Sequence, residues 1–208
     1  MHVEEAIRHR RSVRRFTDEL VSAVDLRDML TLATMAPNIA NRQMWRFIIL
    51  TSSDLRRMLN DLVRRRIEEM QTWPELTGQQ QRVQAWRDQA QPFAEAPAVI
   101  ICVSQGYRTT LDTALVERGV RHWEVANMFA HPDIQSMSAV ITSFILVAEE
   151  RGYGTCWLTA PLVAKKDLQQ ALELKPGEEI VAIVGIGKPA ETPLPKARKK
   201  IDEIIEWR

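Results

Sequence analysis

Apolar positions along this chain follow two rhythms. Recurrence every three to four residues marks helices, and short unbroken apolar runs mark buried strands. Val3, Ala6 and Ile7 give a first short helical stripe, which ends in a basic cluster. Leu26, Met29, Leu30 and Ala33 fall at i, i+3, i+4 and i+7 and predict a second helix, capped by Asp25. That helix stops near Ala36-Pro37, because the residue before a proline is pushed out of the α region. A polar loop from Pro37 to Trp45 leads into a strand over Arg46 to Thr51. Leu55, Met58, Leu59, Leu62, Val63, Ile67 and Met70 then form a regular helical stripe, opened by Ser53 or Asp54.

Residues 72–95 change character. Pro74, Gly78 and a glutamine run surround Val83 and Trp86, which predicts a helical excursion of modest hydrophobicity tied to the main domain. Ala98 to Val103 reads as a buried strand, and residues 105–132 show no clean period. Asp133 opens the most apolar helix, running to about Glu150, with Ile134, Met137, Ile141, Phe144, Ile145 and Ala148 along one side. A helix this apolar is expected to be central and buried. Arg151-Gly152-Tyr153-Gly154 stops it, and Thr155 to Thr159 follows as a short strand. Pro161 starts a further helix with Leu168, Ala171 and Leu172 inward, and Ile180 to Gly187 is the last strand. Pro189, Pro193 and Pro195 favour an extended arm, and Ile201 to Arg208 reads as a short helix or strand. About four strands interleaved with about six helices predict a layered α+β or α/β domain.

Composition narrows the chemistry. With 208 residues, 45% hydrophobic and 26% charged, the chain suits one soluble domain with a sizeable core. The net charge of +1 means that the molecule as a whole is no polyanion binder, so any anion site is local. Cys102 and Cys156 sit far apart in apolar runs, which suggests buried thiols in a reducing compartment. Residues 8–15 are largely basic where a secretory signal would be apolar, and the apolar stretch Ser138 to Ala148 falls short of the roughly 20 residues of a membrane span. A cytoplasmic protein is the expectation.

One stretch concentrates donors. Arg10-Arg11-Ser12-Val13-Arg14-Arg15-Phe16 packs four guanidinium groups and a hydroxyl together, a set suited to phosphate. A solvated basic helix end would look the same in isolation. Lys196, Arg198, Lys199 and Lys200 form a second basic patch on the proline-rich arm. Other chemistries lack their signatures. Gly185-Ile186-Gly187 has no third glycine and is followed by Pro189, so it is no dinucleotide fingerprint. There is no phosphate-binding Walker sequence and no nucleophile elbow, and His2, His9, His122 and His131 have no metal-ligand spacing. Nucleic acid is disfavoured by the near-zero net charge and by aromatics that do not interleave with the basic run. Two basic clusters and a polar loop would suit a phosphorylated cofactor with a flat polar ring.

Four segments together resemble the nitroreductase superfamily of FMN-dependent oxidoreductases. Arg10 to Phe16 is similar to its N-terminal signature. Ala36-Pro37-Asn38-Ile39-Ala40-Asn41-Arg42-Gln43-Met44-Trp45-Arg46-Phe47 resembles its loop, with Asn38 where the family usually has Ser and Met44 where it usually has Pro. Gly152-Tyr153-Gly154-Thr155-Cys156-Trp157-Leu158 resembles its turn after the central helix, and Val184 to Pro189 followed by Arg198 its last strand and phosphate-binding tail. The likeness runs in order from about residue 4 to 205, weakest over residues 72–132.

The resemblance implies an α+β three-layer sandwich with a central mixed sheet flanked by helices. It implies a single FMN-binding domain over residues 1–208, with 72–132 as a variable lid, and a C-terminal arm reaching a partner subunit. It implies a homodimer with FMN at the subunit interface. NADH or NADPH would reduce the flavin and leave, and a small acceptor such as a nitroaromatic or quinone would then be reduced over the same face. A flavin-binding or redox-sensing module with little turnover is the alternative. No residue is implied to be catalytic and no metal is expected. Arg10 and Ser12 match phosphate-binding positions, and Arg11 a neighbour touching phosphate or ribityl. Arg14 matches the basic residue beside flavin N1 and O2, where a fixed cation would stabilise reduced flavin. Arg198 matches the tail residue that closes on the phosphate, with Lys199 and Lys196 behind it. Pro37, Asn38 and Asn41 match loop positions that reach FMN, while Leu158, Thr159 and Ala160 would pack against one flavin face. Trp45, Trp157 and Cys156 are expected in the core.

Overall fold

The structure is a computed structural model that describes every residue but Met1 and Gln91, with Pro92 and Phe93 described in backbone only. The part of the predicted excursion at Gln91 lies outside the described residues. In chain order the elements are α1 (Val3–His9), α2 (Ala23–Ala33), β1 (Trp45–Leu50), α3 (Ser53–Met70), α4 (Gln80–Ala90), α5 (Pro92–Glu95) and β2 (Ala98–Ser104). Then follow α6 (Thr110–Glu117), α7 (His122–Met128), α8 (Pro132–Glu150), β3 (Gly154–Leu158), α9 (Lys165–Ala171) and β4 (Glu179–Gly187). Short 3-10 turns lie at Ile39–Asn41, Pro74–Leu76, Ala160–Ala164 and Ile201–Glu203.

The four strands pair in the order β1-β2-β4-β3, and each neighbouring pair is antiparallel. The parallel part of the expected mixed sheet is one bridge, Ser12 to Thr155, at the free edge of β3. Side-chain alternation splits the core into two layers. Ala98, Ile100 and Cys102 face one side with Met29 of α2 and Met137, Ile141 and Phe144 of α8. Val99, Ile101 and Val103 face the other with Leu59, Val63 and Ile67 of α3 and Leu168 of α9. The result is a helix–sheet–helix sandwich. Both faces of β2 are covered, which is why it reads in sequence as an unbroken apolar run rather than an alternating one.

A bulge adjusts β4 to these layers. The register shifts between Cys102 and Val103, which pair with Ala182 and Ile180, leaving Val181 as the extra residue. Val181 and Ala182 therefore both lean on the α8 side, while Ile180 and Ile183 share the α3 side.

Helix starts depart from the sequence reading by a residue or more. The hydroxyl of Ser22, not Asp25, caps α2 by accepting from the Asp25 amide at 3.4 Å, and Ser52 caps α3 by accepting from Leu55 in the same way. The carboxyl of Asp25 instead accepts from the Tyr153 hydroxyl at 2.6 Å, which ties α2 to the turn behind α8. Met58 and Ile134 belong to the predicted apolar stripes yet stay 44% and 43% exposed.

Arg46 and Glu178 lock the sheet at one end. Arg46 Nε donates to Glu178 Oε1 at 2.9 Å and Nη2 to Oε2 at 2.7 Å, a bidentate pair spanning the end of β2. The Lys175 amide adds a third bond to Oε2 at 3.0 Å. The Arg46 hydrogen bonds, then the Lys175 amide, hold the Glu178 carboxyl below the usual range. A carboxyl depressed in the fold contributes stability above its unfolded pKa and loses it as pH falls through the acid range. Glu178→Gln is expected to flatten the fall of Tm between about pH 5 and pH 3 relative to the wild type. Parallel Tm curves for the two proteins over that range would dissociate the pair from acid stability.

Candidate functional site

The basic segment is held by its backbone along the sheet edge. The Val13 amide donates to the Thr155 carbonyl at 2.9 Å beside β3. Further on, Phe16 pairs with Pro189, the Thr17 amide donates to the Lys188 carbonyl at 2.9 Å, and the Ala190 amide donates to the Arg15 carbonyl at 3.0 Å. The segment thus starts beside β3 and ends beside the chain leaving β4.

Two glycines make this docking possible. A Cβ on Gly154 would lie 2.7 Å from Val13 Cγ2 and 2.8 Å from Val13 Cβ. A Cβ on Gly187 would lie 2.6 Å from Pro97 Cδ and 3.0 Å from Phe16 Cδ1. Val13 is itself buried, at 4% exposure. Gly154 and Gly187 are there for room rather than for a glycine-only backbone angle.

Fixing the backbone frees the side chains. Arg10 and Ser12 are half-buried, and Arg14 is exposed. Among the described residues the side chains of Arg10 and Ser12 have no hydrogen-bond partner, and no ion pair joins Arg10, Arg14 or Arg15 to a carboxylate. Arg14 Nη1 reaches only the Ser12 carbonyl, at 3.3 Å. Arg11 is different. Its Nη1 donates to the carbonyls of Arg8, His9 and Arg10 at 2.6, 3.0 and 3.0 Å, so it satisfies the C-terminal end of α1.

The polar loop is a constrained turn. Ala40, Asn41 and Gln43 have φ of 47°, 51° and 49°, a left-handed conformation that costs non-glycine residues energy. Asn38 holds it closed: its Oδ1 accepts from the Gln43 amide at 2.9 Å. The Ile39 amide donates to the Ser136 hydroxyl of α8 at 3.3 Å, anchoring the loop to the buried helix. Pro37 and Asn41 are left exposed.

Beyond β3, Leu158 turns its side chain into the core and pairs with Ile183, so it offers only backbone to a ligand. Thr159 is exposed, and its carbonyl accepts from the Leu162 amide at 2.9 Å. Trp45 packs against the core, but Trp157 stays 36% exposed on the edge strand between the inward-facing Cys156 and Leu158. Arg198, Lys196 and Lys199 lie exposed on the arm, and within one chain no hydrogen bond or ion pair among the described residues ties them to the Arg10–Arg14 segment.

Burial pushes the Cys156 thiol up, and burial alone pushes Cys102 to about 12, so both stay protonated at neutral pH. The Arg14 guanidinium draws the Cys156 thiol down and the Glu191 carboxylate draws it up. These two opposite charges therefore act at the same point under the sheet edge. Glu191 itself was not singled out in sequence. Its signal there is slight: a lone carboxylate on an otherwise basic, proline-rich arm. No group of His, Cys, Asp and Glu among the described residues could hold a metal ion, and no helix among them is long and apolar enough to cross a membrane.

The fold is a three-layer α+β sandwich with a donor-rich segment docked along its sheet edge. The chain belongs to the Nitroreductase family, whose model matches residues 7–188, and so to a class of oxidoreductases. It is 27% identical over 201 residues to the Bacillus subtilis (strain 168) protein named "Putative NAD(P)H nitroreductase YfhC", covering 96% of this chain and 90% of that one. A BluB-like flavoprotein from Clostridium difficile 630 superposes with a TM-score of 0.84 at 25% identity, over 100% of this chain and 99% of the other. The FMN and NADPH-dependent nitroreductase NfnB from Sphigopyxis sp. strain HMH superposes with a TM-score of 0.77 at 19% identity, over 100% and 99%.

Proposed function

We propose that this protein is an FMN-dependent oxidoreductase that takes reducing equivalents from NADH or NADPH and passes them to a small oxidised organic acceptor, such as a nitroaromatic or a quinone. The observation that carries this reading is the edge segment: its backbone is bonded at Val13, Arg14, Arg15 and Thr17, the side chains of Arg10 and Ser12 have no partner among the described residues, and the exposed Arg14 guanidinium bonds the Ser12 carbonyl alone. The Arg10 guanidinium and the Ser12 hydroxyl suit a phosphate dianion, and a docked backbone lowers the ordering cost of binding one. FMN, when bound, supplies the two-electron chemistry. Arg10 and Ser12 are the phosphate donors in this reading, with Arg198 from the arm. Arg14 is the cation that offsets negative charge on the reduced ring. Asn41, Pro37 and Asn38 offer a preformed polar turn, Thr159 and the Leu158 backbone a second wall. Arg11 contributes through the α1 end, which sets the direction in which Arg10 leaves the helix.

The working unit in this reading is a homodimer in the cytoplasm, with FMN at the subunit interface. Exposed apolar side chains support the dimer: Val3 and Ile7 on α1 at 73% and 58%, and Ile201, Ile204, Ile205 and Trp207 on the tail at 59%, 61%, 43% and 90%. The arm's basic residues would then meet the phosphate once the tail is seated on a partner. Residues 72–132 serve as the variable lid.

The test is direct. The purified protein is expected to be yellow, or to become so on adding FMN, to bleach with NADH or NADPH, and to recolour on adding a quinone or nitroarene. Protein that takes up no FMN would overturn the reading. Bleaching without multiple turnovers would leave a flavin module in place of an enzyme.

A further inference from the structure

Glu191 stands where the arm meets the edge segment. Its Oε1 accepts from the Arg14 amide at 2.9 Å and from the Arg15 amide at 3.2 Å. Two consecutive N–H groups thus converge on one carboxylate oxygen, in an otherwise basic neighbourhood. The next residue back, Ala190, bonds the Arg15 carbonyl, so the arm grips this dipeptide on both its donor and its acceptor side. No ion pair joins Glu191 to the Arg14 guanidinium among the described residues. The carboxylate therefore holds the backbone of Arg14 without engaging its guanidinium, which donates to the Ser12 carbonyl at 3.3 Å. Both charges also act on the buried thiol of Cys156, which places them in one electrostatic neighbourhood.

We propose that Glu191 is a positioning residue for Arg14: it fixes the Arg14–Arg15 backbone to the arm and tempers the positive field that Arg14 sets up at the flavin ring. The second half rests on the flavin reading given above; the first does not. The two halves separate chemically. Glu191→Gln keeps an oxygen able to accept from both amides and removes the charge. Glu191→Ala removes oxygen and charge together.

The experiment uses the full-length protein in two states. In protein freed of FMN, hydrogen exchange is measured for the peptide covering residues 13–17. Glu191→Gln is expected to keep most of the wild-type protection, and Glu191→Ala to exchange there on the order of tenfold faster, since the acceptor of both amides is lost. In protein loaded with FMN, Glu191→Ala is expected to slow flavin reduction by NADH or NADPH about tenfold with FMN affinity little changed, because Arg14 is no longer held beside the ring. Glu191→Gln is expected to bind FMN normally but to shift the flavin midpoint potential upward, because removing a negative charge favours the reduced, more negative ring. A purely structural role would leave that potential unmoved, and an unmoved potential in Glu191→Gln overturns the field argument. Unchanged exchange in Glu191→Ala overturns the positioning argument. If wild type takes up no FMN, the flavin reading falls by itself, and the exchange data still decide whether Glu191 holds Arg14.

Discussion

Gly154→Ala is expected to unseat the edge segment and abolish most FMN binding while leaving the two core layers folded. The new methyl would sit 2.7 to 2.9 Å from Cβ, Cγ1 and Cγ2 of Val13. Val13 cannot step aside easily. It is buried and β-branched, and its amide is bound to the Thr155 carbonyl. Overpacking of this kind costs about 1–3 kcal/mol, which for a chain of this length lowers Tm by roughly 2–12 °C. The functional loss should exceed the stability loss, because Val13 lies between Ser12 and Arg14 and its displacement misdirects both. Titration of FMN into the variant, beside its melting curve, checks this. Val13→Gly in the same chain removes all three clashing atoms and should recover part of the binding. Wild-type affinity in Gly154→Ala would show that the segment docks with slack that the structure does not contain.

A second large effect is expected from dividing the arginines. Arg14→Ala should slow flavin reduction by NADH or NADPH on the order of tenfold to a hundredfold, with FMN affinity little changed. The loss is set below that of a fully buried donor because Arg14 is exposed and water screens its charge. Arg10→Ala should do the reverse, weakening FMN roughly tenfold or more by removing a charged donor to phosphate while the bound flavin is reduced at nearly the normal rate. Stopped-flow bleaching and equilibrium titration separate the two quantities. Equal behaviour of the two variants in both assays would refute the division of roles. Arg11→Ala provides a contrast: its guanidinium closes the end of α1, so its loss should appear as fraying of that helix before it appears in FMN affinity.

Periodicity carried the sequence reading furthest where an element is buried on all sides. β2 meets this condition and was readable to within a residue of its end; α8 was read equally closely from its long apolar stripe, although only one side of it is buried. Periodicity carried less where burial depends on neighbours far along the chain. Met58 and Ile134 fit their helical stripes and are nevertheless 44% and 43% exposed, because a stripe says which residues share a face and not what covers that face. Trp157 is a similar case, since strand alternation alone does not reveal that β3 is an edge. Caps slipped because Ser22, Asp25, Ser52 and Asp54 are all competent acceptors, and only the tertiary partner of Asp25, the Tyr153 hydroxyl, shows which one is engaged elsewhere.

The sequence by itself determined the layered α+β class, the apolar face of the central helix and the basic run on which the phosphate reading rests. Those depend on composition and spacing, which are local. Its order of motifs also pointed to the family that the comparison with known proteins established. The tertiary structure decided what each of those residues is free to do. Arg11 is drawn to the end of its own helix, Leu158 turns inward, and Asn38 closes its own loop. Gly154 and Gly187 matter for the side chains that fill their space, and Glu191, 177 residues from Arg14 in sequence, holds its backbone. Hydrogen bonds and close packing between distant segments are properties of the folded chain, and no local pattern encodes them. The basic run was visible from the start; that Arg11 is drawn into the fold at the end of α1 was fixed only when the chain closed on itself.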